Sequence, residues 1–555
     1  MVYVPYISSK LPGYDGQYSV GAFDLELPVD EPDREPSASF KLDSEENPLK
    51  LETVLFTLFY PTDKNALDKR KKLIKWFPRP FASTAYGYAK LAEISRTFAG
   101  KVKIPFRHVT YRRTVSFAHA LARSTKIPAY ANAPLAACPT GKWPLIFFSH
   151  GLGGQRRMYS HLCGSLASHG YIVCAIEHRD GSAPNTWVYP PLNERSEQGT
   201  PRSVTWYDWK QLKFDDATKE ESHVPLRDEQ LDFRLRELEM AWKHLKRIAD
   251  GQGPACELIN HRKNVSGSAR KVNWDSFEKY MDASRDVTFM GHSFGGATVC
   301  RIATKSDGFV RCITLDPWSW WEVFPRDAIS FPVFTPPHLD IKVPLLTINS
   351  EQFTVWHDNF RSVYELHLRQ KEKGLPSWLF TICGTLHGSF SDINLIAPRI
   401  SKYKGMRINP KQALGATVDV VREFTEQNRY NDGTSSLRTH TSQSTSEFSV
   451  CENEKHEHTK ILDLHRHERP YELANEDKES MIRRWPPRLP PTSSELIKMR
   501  IGNPGHFVLH IKPKEDHEDA YVESGLPSTT LPSNEHPRKN SNAPKRELAY
   551  DVAAA

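Results

Sequence analysis

The residues best able to do chemistry lie in one stretch, Asp286-Val287-Thr288-Phe289-Met290-Gly291-His292-Ser293-Phe294-Gly295-Gly296-Ala297-Thr298. A short apolar β-type run leads into Gly-x-Ser-x-Gly and then into small residues that suit a helix. Strand before and helix after is the context of a nucleophile elbow, in which a serine sits on a strained turn with its oxygen exposed at the end of a sheet. Gly291 and Gly295 lack the Cβ atoms that would collide in so tight a turn. Phe294 presents its backbone N–H at the start of the helix, where an oxyanion can be held.

A serine hydroxyl is a poor nucleophile until a base takes its proton. The base must be a histidine, and a buried carboxylate must orient it. Ser293, Asp316 and His387 follow the chain order serine, acid, histidine that an elbow of this kind requires, each just past a predicted strand. Parallel strands end at one edge of a sheet, so the three can converge there. Each has competitors. His292 lies in the elbow itself, with its side chain expected to point away from that of Ser293. His357 follows the next strand by several residues. Glu351 and Asp358, also after that later strand, compete with Asp316 for the role of acid. A second oxyanion donor is expected from His150-Gly151-Leu152-Gly153-Gly154, after an earlier strand, with Leu152 as the donor. Together these residues read as acyl transfer, with neither metal nor cofactor required.

The elements that must position them alternate. Tyr18 to Leu27 and Leu51 to Tyr60 read as strands that pair as an antiparallel edge, with an exposed loop from Pro28 to Pro48 between them. Ser83 to Phe98 reads as a helix, flanked by Trp76, Phe77 and Phe81, serving as a lid or an interfacial segment. Buried-type strands are predicted at Pro144–Ser149, Tyr171–Ile176, Val310–Leu315, Pro344–Ile348 and Leu379–Leu386. The stripe Leu231, Leu235, Leu238, Trp242 and Leu245 predicts a long amphipathic helix ended near Gly251. Asn409-Pro410 opens a final helix with Leu414, Val418 and Val421 on one face. The fold class is therefore α/β, a mostly parallel sheet covered by helices on both faces. The catalytic domain is residues 1–427, with inserts near 28–48, 187–223 and 321–343. Residues 428–555 read as a low-complexity, largely disordered tail, interrupted by a hairpin-like stretch from Ile497 to Ile511.

The 555 residues carry a net charge of +7, and no basic-aromatic repeat or finger spacing points to nucleic acid. The sharpest basic run, Lys69-Arg70-Lys71-Lys72, reads as a solvated loop or a contact with an anionic surface. His456, His458, His465 and His467 read as solvated rather than metal-binding. Among eight cysteines, Cys174, Cys300, Cys312 and Cys383 fall in apolar patterns and read as buried thiols. The first residues lack a secretory pattern, and no apolar run approaches the ~18 residues of a membrane span. The expected location is cytoplasmic, peripheral at membranes. Oligomeric state is left open.

Four segments carry a family resemblance: Ser149 to Gly154, Leu166 to Ala183 with Glu177-His178-Arg179-Asp180, Gly291 to Thr298, and Leu315-Asp316-Pro317-Trp318. In these the chain resembles platelet-activating factor acetylhydrolases of the plasma and type II intracellular kind. The resemblance implies an α/β-hydrolase fold and a calcium-independent serine esterase acting on short or oxidised sn-2 acyl chains of phospholipids. It raises Asp316 above its rivals as the acid. It matches Leu152 and Phe294 to the oxyanion donors and Trp318 to an aromatic beside the acyl pocket. It also implies an apolar lipid-facing patch, expected in Trp76 to Phe98. Gly388 departs from the Gln common in the family, and Pro317 separates Asp316 from Trp318. A general carboxylesterase or lipase is the alternative within the same chemistry; a catalytically idle hydrolase-like scaffold is the alternative outside it.

Overall fold

Runs of β-branched and aromatic residues become the strands of one 11-stranded sheet in the computed structural model of the chain. The structure describes residues 10–30, 40–41, 48–66, 73–98, 125–191, 200–208, 212–214, 224–262, 271–304, 311–318, 341–427, 501, 504–505 and 507–511. The strands are β1 (Ser19–Pro28), β2 (Thr53–Thr62), β3 (Leu73–Lys75), β4 (Lys126–Ala131), β5 (Leu145–Ser149), β6 (Ile172–Glu177), β7 (Val287–His292), β8 (Arg311–Leu315), β9 (Leu345–Ser350), β10 (Ser377–Ile382) and β11 (Phe507–Ile511). Their order is β11-β10-β9-β8-β7-β5-β6-β2-β1-β4-β3. From β10 to β6 every pairing is parallel.

Strand order reverses at β5, which lies between β6 and β7. Ligands of open parallel sheets bind outside the strand ends at such a switch point. The loops leaving β5 and β7, which carry Leu152 and Ser293, therefore flank one crevice.

Helices cover both faces. Among the described residues they include α1 (Phe81–Phe98), α2 (Ser160–Ser168), α3 (Val224–Arg247), α4 (Trp274–Tyr280), α5 (Phe294–Ala303), α6 (His357–Glu372), α7 (Pro398–Tyr403) and α8 (Pro410–Gln427). The predicted stripe of α3, from Leu231 to Leu245, packs with Phe147 and Phe289 on one face of the sheet. Leu414, Val418 and Val421 of α8 pack with Phe148, Met290 and Leu346 on the other. Gly251 ends the helical run beyond α3 at φ +85°, a conformation that favours glycine.

The outer strands differ from their sequence-based reading. β1 and β2 do pair antiparallel, but β4 and β6 flank them, so they are interior strands. Asp24 and Glu26 of β1 are buried and neutralised by arginines. Arg156 and Arg157 reach Asp24 at 2.9 and 2.6 Å. Arg179 and Arg262 each reach Glu26 at 2.6 Å. Nor is the described part of residues 28–48 only an exposed loop, because Val29 and Phe40 are buried. Phe40–Lys41 pairs with Lys213–Phe214, which joins this insert to the one near 187–223. Another described part of that second insert, with the two residues before it, forms the antiparallel strands Asn185–Val188 and Arg202–Thr205.

The stretch near Ile497–Ile511 also differs. Its described end is not a local hairpin but the edge strand β11, antiparallel to β10. Strand pairing thus continues past Leu379–Leu386, read from sequence as the last strand. Lys69–Lys72, the insert from 321 to 340 and most of the tail, with its histidine cluster, lie outside the described residues. Cys138, Cys163, Cys174, Cys256, Cys300, Cys312 and Cys383 are buried free thiols. Among the described residues no helix is long and apolar enough to cross a membrane.

Candidate active site

The turn between β7 and α5 forces Ser293 to φ +57°, ψ −120°, a backbone state that non-glycine residues rarely adopt. Its flanking glycines have no alternative. A Cβ on Gly291 would lie 2.1 Å from the Gly295 oxygen, and one on Gly295 would lie 2.0 Å from the Ser149 oxygen. Ser293 N–H donates to Leu315 O at 2.9 Å, and Trp318 N–H donates to Ser293 O at 3.1 Å. These bonds tie the serine to the strand end that carries Asp316. Trp318 meets the Phe294 ring edge-on at 5.9 Å.

Asp316 also has positive φ, +44°. Its Oδ2 accepts from His387 Nδ1 at 2.9 Å and from Ser350 Oγ at 2.6 Å, and its Oδ1 accepts from Ser350 N–H at 2.6 Å. Burial pushes Asp316 up to about 7, opposed by His292 and by the Ser350 donors. Burial pushes His387 down to about 3, which favours the neutral form that can take a proton. Phe353 stacks flat on the His387 ring, with centroids 4.0 Å apart and planes 8° apart. Glu351, the rival acid, is committed elsewhere: Arg407 Nη2 donates to both its oxygens, and Gly384 N–H and Ile501 N–H bind it as well. His357 and Asp358 open α6, and their side chains lie outside the described residues.

His292 does not stand apart from this cluster as its place in the elbow suggested. Its ring lies 4.4 Å from that of His387. Its Nε2 is 3.0 Å from His387 O, and a carbonyl only accepts, so Nε2 carries the proton. Nδ1 then accepts from Tyr159 OH at 2.8 Å, and Tyr159 in turn accepts from Gly151 N–H at 3.3 Å. One directed chain of hydrogen bonds thus runs from the glycine loop to the His387 backbone. His292, Asp316 and His387 could together offer ligand atoms within 4.8 Å of one another, the one such cluster among the described residues. Both ring nitrogens of His292, both carboxylate oxygens of Asp316 and Nδ1 of His387 are engaged in the hydrogen bonds above.

In the glycine loop, Gly151 N–H is taken by Tyr159, Gly153 N–H by Ser182 O at 2.8 Å, and Gly154 N–H by Gly151 O at 3.1 Å. Leu152 N–H has no acceptor among the described residues. Its peptide plane is fixed from behind, because His150 Nδ1–H donates to Gly151 O at 2.9 Å. His150 Nε2 accepts from His178 N–H at 3.1 Å. Burial pushes His150 down to about 4, so it is neutral and this tautomer holds. Phe294 opens α5, where first-turn amides lack intrahelical acceptors. Leu91 of α1 reaches the same loop, its Cδ2 3.1 Å from where a Cβ on Gly153 would lie.

The supporting roles of His150, Ser350, Phe353 and His292 were missed by the sequence reading. The first two lie beside residues it singled out, but nothing in one-dimensional spacing distinguishes a supporting partner from a bystander. Within the expected lipid-facing patch, Trp76 to Phe98, Tyr86 is exposed by 50% but the first two aromatics are not. Trp76 and Phe77 are core residues, and Trp76 Nε1 donates to Asp392 Oδ2 at 2.8 Å. Near the His387 loop, Ile393, Ile400 and Tyr403 are further exposed large apolar side chains.

A parallel sheet in this strand order, with a strained serine after its central strand and a hydrogen-bonded histidine–aspartate pair at the same edge, defines an α/β-hydrolase. The family model described as platelet-activating factor acetylhydrolase, isoform II, matches residues 5–436. The chain belongs to that family. It is 32% identical over 295 residues to a platelet-activating factor acetylhydrolase of Gallus gallus, covering 52% of this chain and 63% of that one. It is 35% identical over 280 residues to one of Cavia porcellus, covering 50% of this chain and 54% of the relative. The chain thus spans between half and two thirds of these relatives' length. A putative phospholipase A2 of Schizosaccharomyces pombe is 28% identical over 465 residues, covering 78% of this chain and 96% of that protein.

Proposed function

We propose that the chain is a serine esterase that releases the sn-2 acetyl, or a short or oxidised acyl group, from phospholipids. The observation that carries the reading is the Asp316–His387 hydrogen bond of 2.9 Å beside the strained turn of Ser293. Ser293 Oγ attacks the ester carbonyl carbon while His387 Nε2 takes its proton. The tetrahedral oxyanion is held by the N–H groups of Leu152 and Phe294, each contributing about 3 kcal/mol of transition-state stabilisation. His387 passes the proton to the departing glycerol oxygen, and Asp316 stabilises the imidazolium in between. Water, deprotonated by His387, then hydrolyses the acyl-enzyme. Calcium has no part in these steps. Trp318, against Phe294, borders the acyl side. Gly388 leaves space there, since a Cβ would meet only Asn394, at 3.8 Å. Lipid contact falls to the surface around Ile393, Ile400 and Tyr403, with exposed Lys402 and Lys404 beside them.

The test is hydrolysis of phosphatidylcholines with sn-2 chains from acetyl to long acyl, with chelator present. Preference for short chains is expected, with Ser293→Ala abolishing it and Asp316→Asn lowering kcat by about 10⁴-fold. Hydrolysis of simple aryl esters alone would remove the phospholipid assignment. Full activity in Ser293→Ala would remove the mechanism.

A further inference from the structure

The two proposed oxyanion donors belong to different elements. Leu152 is on the loop after β5, and Phe294 is at the start of α5. Their N–H groups must be held in register to a few tenths of an ångström if both are to meet one oxygen. A single side chain from a third element, α3, touches both.

Arg234 is fully buried. Its Nη1 donates to His150 O at 2.8 Å, at the start of the glycine loop. Its Nη2 donates to Ser182 Oγ at 2.6 Å, and the Ser182 carbonyl accepts from Gly153 N–H in that same loop at 2.8 Å. Toward the other donor, its guanidinium carbon lies 4.4 Å from the centre of the Phe294 ring. Nη1 also lies 3.5 Å from Thr298 Oγ1, one turn further along α5. Nε donates to Asp180 Oδ2 at 2.7 Å, which neutralises the charge.

The Asp180 pair alone would account for a buried cation. It does not account for a fork whose other arms and flat face go to the two halves of the hole. Only arginine offers donors in several directions together with a planar face for an aromatic ring. We propose that Arg234 is a positioning residue that sets the distance and angle between the Leu152 and Phe294 N–H groups. It touches no reacting atom, and its effect reaches the transition state through those two backbones. The inference rests on the reading of Leu152 and Phe294 as oxyanion donors.

The test uses the full chain and Arg234→Lys, which keeps the charge beside Asp180 but loses the fork and the planar face. Four quantities are read: kcat and KM on a soluble aryl ester, affinity for a trifluoromethyl ketone, and the pH at which the bound ketone adduct ionises, by fluorine NMR. That adduct places an oxyanion in the hole, so a merely structural role would leave its ionisation unmoved. We expect kcat to fall by about 10²-fold, in line with loss of one donor. KM should stay within about 3-fold, ketone affinity should fall with kcat, and the adduct should ionise at higher pH. A folded Arg234→Lys protein with kcat and ketone affinity within about 3-fold of wild type overturns the inference, as does a change confined to KM. If Arg234→Lys does not fold, Arg234→Met with Asp180→Asn removes the cation and its counterion together and carries the same expectations. A wild-type chain that neither cleaves esters nor binds the ketone defeats the underlying oxyanion reading, and the role of Arg234 with it. A wild type that does both, beside an unaffected variant, defeats the role of Arg234 alone.

Discussion

Ser350 illustrates how one residue sets the chemistry of another. Its N–H and hydroxyl both hold Asp316, against the burial that raises that carboxyl to about 7. The proposed mechanism needs Asp316 ionised. Ser350→Ala removes one donor to the charged form, so the Asp316 carboxyl moves higher still. The rising limb of kcat/KM with pH is then expected to shift toward higher pH, with a smaller maximum. A profile from pH 5 to 9 checks this, and a limb that stays put or moves down counts against the role. At this scale chain order and motif single out Ser293, Asp316 and His387 as candidates, and the structure sets His387 2.9 Å from Asp316 and ties Ser293 to the strand end before Asp316. The sequence was not legible for His292, whose ring orientation depends on Tyr159 and on the His387 backbone, both distant in sequence.

Single elements were legible when one apolar period ran through them. The stripe of α3 is an example, with Leu231, Leu238 and Leu245 all fully buried. Trp76 and Phe77 were misjudged because aromatic residues before a helix suit either a surface or a core. What decides it is Asp392, which binds Trp76 and also the N–H groups of Ser160 and His161 at the start of α2. The element proposed to meet lipid is α7. Ile400 and Tyr403 lie on one face of it, exposed by 49% and 88%, which leaves their apolar area available to an interface. Ile400→Ser with Tyr403→Ser is expected to lower vesicle binding and hydrolysis of vesicle-borne phospholipid by about tenfold, as loss of about 1.4 kcal/mol of apolar burial would. Hydrolysis of a soluble ester should be unchanged, and folding stability should move by only about 0.5 kcal/mol, as for other surface positions. Equal losses on vesicles and on the soluble ester would show that α7 does not serve as a lipid contact.

Across the whole molecule, the buried acids of β1 couple folding to pH. Burial pushes Glu26 up, but Arg179 and Arg262 outweigh it and hold the carboxyl at about 2. Arg156 and Arg157 likewise overcome burial and hold Asp24 below the ordinary carboxylate range. Folded pKa values below the unfolded ones give a contribution that is present above about pH 4 and lost as pH falls toward about 2. Denaturant titrations are expected to show stability falling steeply between those limits, and a flat dependence from pH 5 to 3 would contradict the ion network. The sequence concealed this because Asp24 and Glu26 sit in a strand that read as half of an antiparallel edge. Their partners come from beyond β5, beyond β6 and after α3, so only the assembled sheet brings the charges together. The same distance between sequence and space governs β11. Residues 507–511 complete the sheet beside β10, Ile501 N–H binds Glu351 at 2.8 Å, and Gly505 N–H binds Cys383 O at 3.0 Å on the way to His387. A premature stop, a frameshift or an alternative splice ending the chain after the α8 helix would therefore remove more than a dispensable appendage. It would unzip one margin of the sheet and leave the segment that leads to the proposed base with an open flank. Genetic lesions far downstream of every proposed active-site residue thus belong among those that can silence the protein.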